Sequence, residues 1–415
     1  MVAAVGVASM LIALSFAEVS SRFDGTGGPY LYTRAAFGRF LAFEVGWMMW
    51  FTRAASWASV INVLVSALGF YWPSVTVGLT RSLLIAGIIA TIAGINVRGI
   101  RQSSFVVNLL TAGKLIPLVI FIAVGLFYVD WGRVSQPASL TFTQLSTSAL
   151  LLIFAFGGYE VVPVPGGETK DPRSAIPFAL IMTIVIVTVI MTLAQLVALG
   201  TLPGLASSKT PLADAAALYM GPVGAAMVTL GAVMSTSGNN MGQALSGSRN
   251  LYALAEQGDL PKFFGYVHPR FRTPSNAILV TAGVALVLAV TGSFVTMAAA
   301  SAISRLLVYV ATCAAMIRLR ASRFGGQVQT DPRFAPEPRT VNGVVVNPPQ
   351  FTVPGGPVIA GLAIIIALAI LFGATRQQLI SGAYALAAGA VLYVITLRSQ
   401  TGVRPGSDRG QTPVV

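Results

Sequence analysis

Long apolar runs separated by short polar stretches are the dominant pattern of the chain. Runs of about 18 or more apolar residues are long enough to cross a bilayer as helices. On that criterion the chain predicts spans at 1–21, within 30–71, and at 79–97, 104–128, 145–168, 175–200, 221–252, 274–291, 295–317, 357–373 and 378–397. That makes about eleven spans, and an all-α polytopic membrane protein. A short amphipathic lead-in with Arg34 and Arg39 precedes the second span. Residues 130–144 and 201–220 are outer loops, the latter with a short helical piece, and 253–273 is a basic inner loop ending RFRTP. The longest polar stretch, 318–356, is Pro-rich and reads as a flexible cytoplasmic connector; Asn342-Gly343 between RTV and VVV allows a small hairpin at most. Residues 399–415 are polar, contain Gly and Pro, and are expected to be a disordered tail.

One span departs from the rest. From Phe154 to Asp171 the chain reads FAFGGYEVVPVPGGETKD, with Gly157-Gly158, Pro163, Pro165, Gly166-Gly167 and the acidic Glu160. Gly and Pro weaken helical hydrogen bonding. Non-helical backbone at bilayer depth survives only where protein or a watery cavity satisfies its freed polar groups. The span is therefore expected to break near Gly157, and interrupted helices near the midplane are where secondary transporters hold small solutes.

Composition narrows the class further. Of 415 residues, 55% are hydrophobic and 9% charged, against about 25% charged in soluble domains. The net charge of +13 could suggest nucleic acid, but its distribution decides otherwise. Of the 26 Lys and Arg, Arg81, Arg133, Lys209 and Arg376 fall on one side and Arg53, Lys114 and Arg305 within spans; all others fall on the opposite side. That is the positive-inside pattern, with a cytoplasmic C-terminus and a role for anionic lipid rather than nucleic acid. A single Cys313 and a single His268 exclude an intrachain disulfide and a polyhistidine metal site. No Walker, GxSxG or HExxH motif points to enzymology, and no cofactor or metal is expected.

Three segments carry a family likeness: AEVSSRFDGTGGPYLYTRAAFG (17–38), FAFGGYE with GGETKDPRSAIP (154–177), and SGSRNLYALAEQGDLPKFF with HPRFRTP (246–274). Together they resemble the amino acid/polyamine/organocation (APC) superfamily of permeases, from the first residue to about Arg398. The resemblance implies a LeuT-like bundle of two inverted repeats followed by two extra helices. It implies a core over 1–317, the connector 318–356 and accessory helices over 357–398. The spans match the family's second to twelfth helices, so the family's first helix, with its Gly-rich break, is expected to be lacking. The implied function is proton-coupled or exchange transport of amino acids or related amines across the plasma (inner) membrane by alternating access. The alternative is a fragment, or a nutrient sensor, that does not transport.

The resemblance also suggests site residues. Phe154, Ala155, Phe156, Gly157 and Gly158 match the break in the family's sixth helix. There the free carbonyls of Phe154, Ala155 and Gly157 would face a substrate ammonium, with the Phe154 ring covering it; the alternative is that the Gly pair serves close packing. Glu160, ionisable within a span, is functional by default, as a proton carrier or as a brace for the unwound backbone. Lys114 would point toward the region that holds sodium in some relatives, opposite Ser235 to Asn240, and could replace that ion in proton coupling; alternatively it bridges helices or snorkels. Arg53 and Trp57, four apart, share one helix face; Trp57 matches a substrate-facing position, while Arg53 would pair with carbonyls. Asn239, Asn240 and Gln243 are either cargo contacts, Asn240 and Gln243 foremost, or interhelical glue at about 0.6 kcal/mol each. Trp47 and Trp50 are expected to pack or face lipid. With Phe154 and Trp57 at the site and Glu160 its acidic group, neutral or aromatic amino acids are the expected cargo.

Overall fold

The computed structural model describes residues 1–99, 103–135, 141–164, 166–208, 210–321 and 338–401. Its helices are α1 (Val2–Ser20), α2 (Pro29–Phe37), α3 (Arg39–Leu68), α4 (Gly78–Arg98), α5 (Ser103–Gly125), α6 (Trp131–Val134) and α7 (Phe142–Phe156). They continue with α8 (Pro172–Thr201), α9 (Pro211–Glu256), α10 (Ser275–Thr291), α11 (Phe294–Ala321), α12 (Gly356–Phe372) and α13 (Arg376–Thr401). Eight of these are long and apolar enough to cross a membrane among the described residues, and α7, α10 and α12 are shorter apolar helices. The predicted spans thus all appear as helices, most within a few residues of their expected ends.

The sequence separates two pieces within α9. Gly221 has φ 67° and ψ −166° and is followed by Pro222, so the backbone bends sharply where only glycine is unstrained. Pro211 to Met220 is the short helical piece expected within 201–220, and the rest is the span.

Burial shows which helices are central. The apolar window of α3 is 78% buried and that of α5 17%. Lipid is as apolar as leucine, so helices associate through close packing at small residues. Gly6 of α1 meets Thr188 of α8, Gly113 of α5 meets Met234 of α9, and Gly231 of α9 meets Pro117 of α5. The α3–α9 seam is antiparallel: Gly46 lies against Leu254, Arg53 against Gly247, and the Tyr71 hydroxyl donates to Ala226 O at 3.2 Å. Trp47 and Trp50 are buried rather than lipid-facing, their indole N–H groups donating to Ala385 O (2.8 Å) and Thr281 Oγ1 (3.0 Å).

The three segments that carry the family likeness meet at one end of the bundle. Tyr30 donates to Asp259 Oδ2 (2.7 Å), Arg39 Nε donates to Asp259 Oδ1 (2.5 Å), and Arg34 Nη1 reaches Gln257 Oε1 (2.9 Å). Gly27 N donates to Val164 O (2.9 Å), and Arg173 Nε donates to Ser21 O (3.0 Å).

The connector differs from the expected flexible stretch over its described part. Residues 339–346 form an antiparallel hairpin, β1 (Arg339–Val341) and β2 (Val344–Val346), turning at Asn342 (φ 49°) and Gly343 (φ 76°). It is anchored: Asn342 Nδ2 donates to Arg34 O and Ala35 O, both at 3.1 Å, Val344 and Val346 are buried, and Asn347 N donates to Arg22 O (2.9 Å). Buried Glu18 then accepts from Val353 N (2.8 Å) and Arg320 Nη1 (2.9 Å). Residues 322–337 of the connector lie outside the described residues, as do 402–415 of the tail. Helix α13 runs to Thr401, past the expected start of that tail.

Candidate functional site

Helix α7 begins with a reciprocal cap, Thr141 with Gln144, and ends at Phe156. Gly157 is extended (φ −68°, ψ 155°), and Gly158 has φ 128°, a conformation that favours glycine. Beyond it come a 3-10 turn over Tyr159–Val161 and another over Gly166–Glu168, then left-handed Asp171 and α8. Among the described residues the chain does not return to α-helix between Phe156 and Pro172. The break stands where the Gly and Pro pattern puts it. Space borders it: Ala155 is exposed, Gly157 and Gly158 are half-buried, and a Cβ placed on Gly158 would meet nothing within 4 Å.

Of the three carbonyls expected to be free, that of Phe154 is taken. Phe154 O accepts from Gly157 N (3.2 Å) and from Arg305 Nη1 (3.1 Å), which also lies 3.4 Å from Ile153 O. The half-helix C-terminus carries partial negative charge, and the Arg305 guanidinium of α11 sits at it, so close to Gly157 that any side chain there would collide with it. The cation at the break is supplied by the protein.

Glu160 joins that guanidinium to α3. Its Oε1 accepts from Arg305 Nε (2.9 Å) and from Arg53 Nη2; its Oε2 accepts from Gly158 N (2.8 Å) and from the Tyr309 hydroxyl (3.0 Å). Glu160, Arg53, Arg305 and Tyr309 are all buried. Four donors converge on one carboxylate, an arrangement that suits an ionised brace of the unwound backbone better than a proton carrier. Tyr309 stacks on Tyr159 (centroids 5.4 Å apart) and meets Phe16 of α1 edge-on (5.6 Å). Arg305 Nη2 reaches Ser56 Oγ (3.4 Å), which pairs with Ser301 Oγ (2.8 Å). Arg53 Nη1 donates to Gln243 Oε1 (3.2 Å), whose own amide donates to Asn239 Oδ1 (3.0 Å).

Other expected site residues are distributed unevenly. The Phe154 ring is half-buried, edge-on to Phe294 (6.1 Å) and under Arg305 (5.8 Å to the centroid). Phe156 points into the apolar core rather than to the open side. Trp57 and Asn240 are fully buried; the Trp57 indole N–H and both Asn240 amide atoms have no hydrogen-bond partner. Arg53 pairs with a carboxylate rather than with carbonyls. Lys114 is exposed rather than a buried ammonium, because α5 turns Gly113 and Pro117, not Lys114, to α9. Arg305 was located within a span by the sequence but assigned no part; an arginine inside an apolar run was the available signal, and its partner lies 145 positions away. Tyr309 and Ser56 carried no signal at all.

Fold and site together define an all-helical, multi-pass membrane protein of the LeuT-like class, with a broken helix against its central α3 and α11. The family model described as amino acid permease matches residues 1–396, and the chain belongs to that family, one of transporters rather than enzymes. It is 29% identical over 297 residues to the serine/threonine exchanger SteT of Bacillus subtilis, an alignment covering 68% of this chain and 66% of that protein. It is 25% identical over 420 residues to the branched-chain amino acid permease BcaP of Bacillus subtilis (95% and 84%). To the low-affinity putrescine importer PlaP of Escherichia coli it is 23% identical over 293 residues (68% and 64%).

Proposed function

We propose that this protein is a secondary transporter of amino acids or related amines, working by rearrangement of the bundle around the break at Gly157. One observation carries the reading: the polypeptide leaves the helix between Phe156 and Pro172 beside open space, within a membrane bundle, where irregular backbone persists chiefly to line a cavity. The relatives' names, an exchanger and permeases of amino acids together with an amine importer, support the substrate class. Proton coupling is part of the proposal and is assigned to Lys114, with Glu160 as the fixed counter-ion of two arginines. The plasma (inner) membrane is the proposed location, and the charge distribution supports a cytoplasmic C-terminus. The test is uptake of the twenty labelled amino acids and putrescine into proteoliposomes, with and without a pH gradient. Saturable uptake of at least one is expected, and no uptake of any would overturn the reading.

A second reading, a membrane sensor that binds without translocating, is favoured by one feature. Arg305 and Glu160 tie α11, α3 and the end of α7 together at the place that would have to move. Saturable binding by the purified protein without uptake would select it.

A further inference from the structure

A groove of about 490 Å³ runs between α4 and α10. Ala86, Ala90 and Gly94 recur at every fourth position of α4 and so share one face, and Ala282 and Gly283 of α10 lie across from them. Ile89 and Ala282, both buried in one apolar cluster, close the floor. Small residues on membrane helices ordinarily let two backbones close up. The two glycines do not serve that end here, because a Cβ built on Gly94 or on Gly283 would meet nothing within 4 Å. The furrow they leave is room for something outside the chain.

The groove is polar at one end only. Its lining is apolar or glycine throughout except for Arg98, the last residue of α4. Arg98 is exposed, and among the described residues its guanidinium has no ion pair. Phe271 lines the same end. Its loop is fastened to α4 by Thr273 Oγ1, which donates to Val97 O (2.6 Å), and the Arg270 guanidinium lies over its ring (5.5 Å to the centroid). The two acids that precede these arginines are engaged elsewhere, Asp259 with Tyr30 and Arg39 and Glu256 with the Tyr252 hydroxyl. From Ala86 to Val97 the groove follows α4 for about 17 Å. That is about one leaflet of a hydrocarbon core roughly 30 Å thick.

We propose that this groove binds an anionic phospholipid: one acyl chain lies along Ala86, Ala90 and Gly94 against Gly283, and the phosphate sits at Arg98 with Arg270 beside it. Basic pockets at the ends of membrane helices are where acidic headgroups are selected. A transmembrane helix laid on the same small residues would cover Arg98 without giving it an acceptor, whereas a phosphate supplies a charge-assisted bond. The site lies outside the broken helix and holds whether or not the protein carries a cargo.

Native mass spectrometry of the purified, delipidated full-length chain tests it, with titration by dioleoylphosphatidylglycerol or dioleoylphosphatidylcholine. The two lipids share their chains and differ in net charge. At the tightest site phosphatidylglycerol is expected to bind at least about tenfold more strongly, as two basic side chains allow. Arg98→Gln should weaken phosphatidylglycerol about fivefold or more and leave phosphatidylcholine unchanged, while Arg376→Gln, which removes the same charge at the start of α13, should change neither. Gly94→Leu fills the furrow and should weaken both lipids at least about tenfold. Its melting temperature without lipid should not fall, since leucine favours the helix over glycine and enters open space. Gly283→Leu makes the same test from the opposite wall should the first variant fail to fold. Equal affinity for the two lipids, a preference that survives Arg98→Gln, or equal losses in Arg98→Gln and Arg376→Gln overturns the site. So does unchanged lipid binding in both leucine variants. A delipidated dimer that Gly94→Leu converts to monomer, with no preference for phosphatidylglycerol, assigns the groove to a second copy of this chain and overturns the proposal as well.

Discussion

Glu160 holds two guanidinium groups, and its removal isolates both. Breaking a buried pair by deleting one partner costs about 3–5 kcal/mol, because the remaining charge stays uncompensated. Glu160→Gln should therefore lower the melting temperature of the detergent-purified protein markedly. Arg305→Met in the same background should restore part of the loss, since the apolar side chain removes one stranded charge and its desolvation cost. Equal melting of Glu160→Gln and the unmodified protein would show that the network is not what holds the break in place. The sequence disclosed half of this arrangement. An acid beside a Gly pair within a span is conspicuous, whereas Arg305 acquires meaning only when α11 is laid against α7, and the acceptors it caps are backbone atoms that no residue type announces.

At the scale of elements, the spans were legible because lipid imposes a long apolar run on every crossing helix. The loop cluster where the family-like segments meet was not, because its order comes from contacts between distant segments. The hairpin shows why: Asn342-Gly343 is a strong two-residue turn signal, but what fixes it is the C-terminal end of α2, about 300 residues earlier, through Arg34 O and Ala35 O. Asn342→Ala removes both bonds and places a residue with little tolerance for positive φ at 49°. A cost of about 1–2 kcal/mol is expected, read as several-fold faster proteolysis within 338–347 while the membrane helices stay protected. Cleavage at the unmodified rate would show that the hairpin is held by its buried valines instead.

The clasp between α2 and the α9–α10 loop makes a prediction about alkali. Burial, together with the Asp259 carboxylate that accepts its proton, pushes the Tyr30 hydroxyl above its ordinary range. A group whose proton is held more tightly when folded contributes stability below its unfolded pKa, about 10 for tyrosine, and loses it as pH rises further. The difference in melting temperature between the unmodified protein and Tyr30→Phe should thus be constant up to about pH 9 and then shrink or reverse by pH 11, since phenylalanine has no proton to lose. A difference that stays constant across that range would mean that burial and Asp259 together do not hold the Tyr30 proton more tightly in the folded state.

Viewed as a whole, the molecule separates a tightly packed centre, where α3 and α11 share the ion network, from peripheral helices such as α5, of whose apolar window only 17% is buried. Lys114 belongs to the periphery yet adjoins the α5–α9 contact at Gly113 and Met234. A cation placed there does not take part in holding the break, so its effect on energy coupling is separable from its effect on the site. In proteoliposomes loaded with unlabelled substrate, Lys114→Ala should sustain counterflow within about twofold of the unmodified rate, as expected of a surface substitution away from the binding centre. Accumulation driven by an imposed pH gradient should fall to the level seen without one. Loss of counterflow together with accumulation would place Lys114 in the exchange step itself; unchanged accumulation would remove it from proton coupling and turn attention to an exchange mechanism that needs no proton.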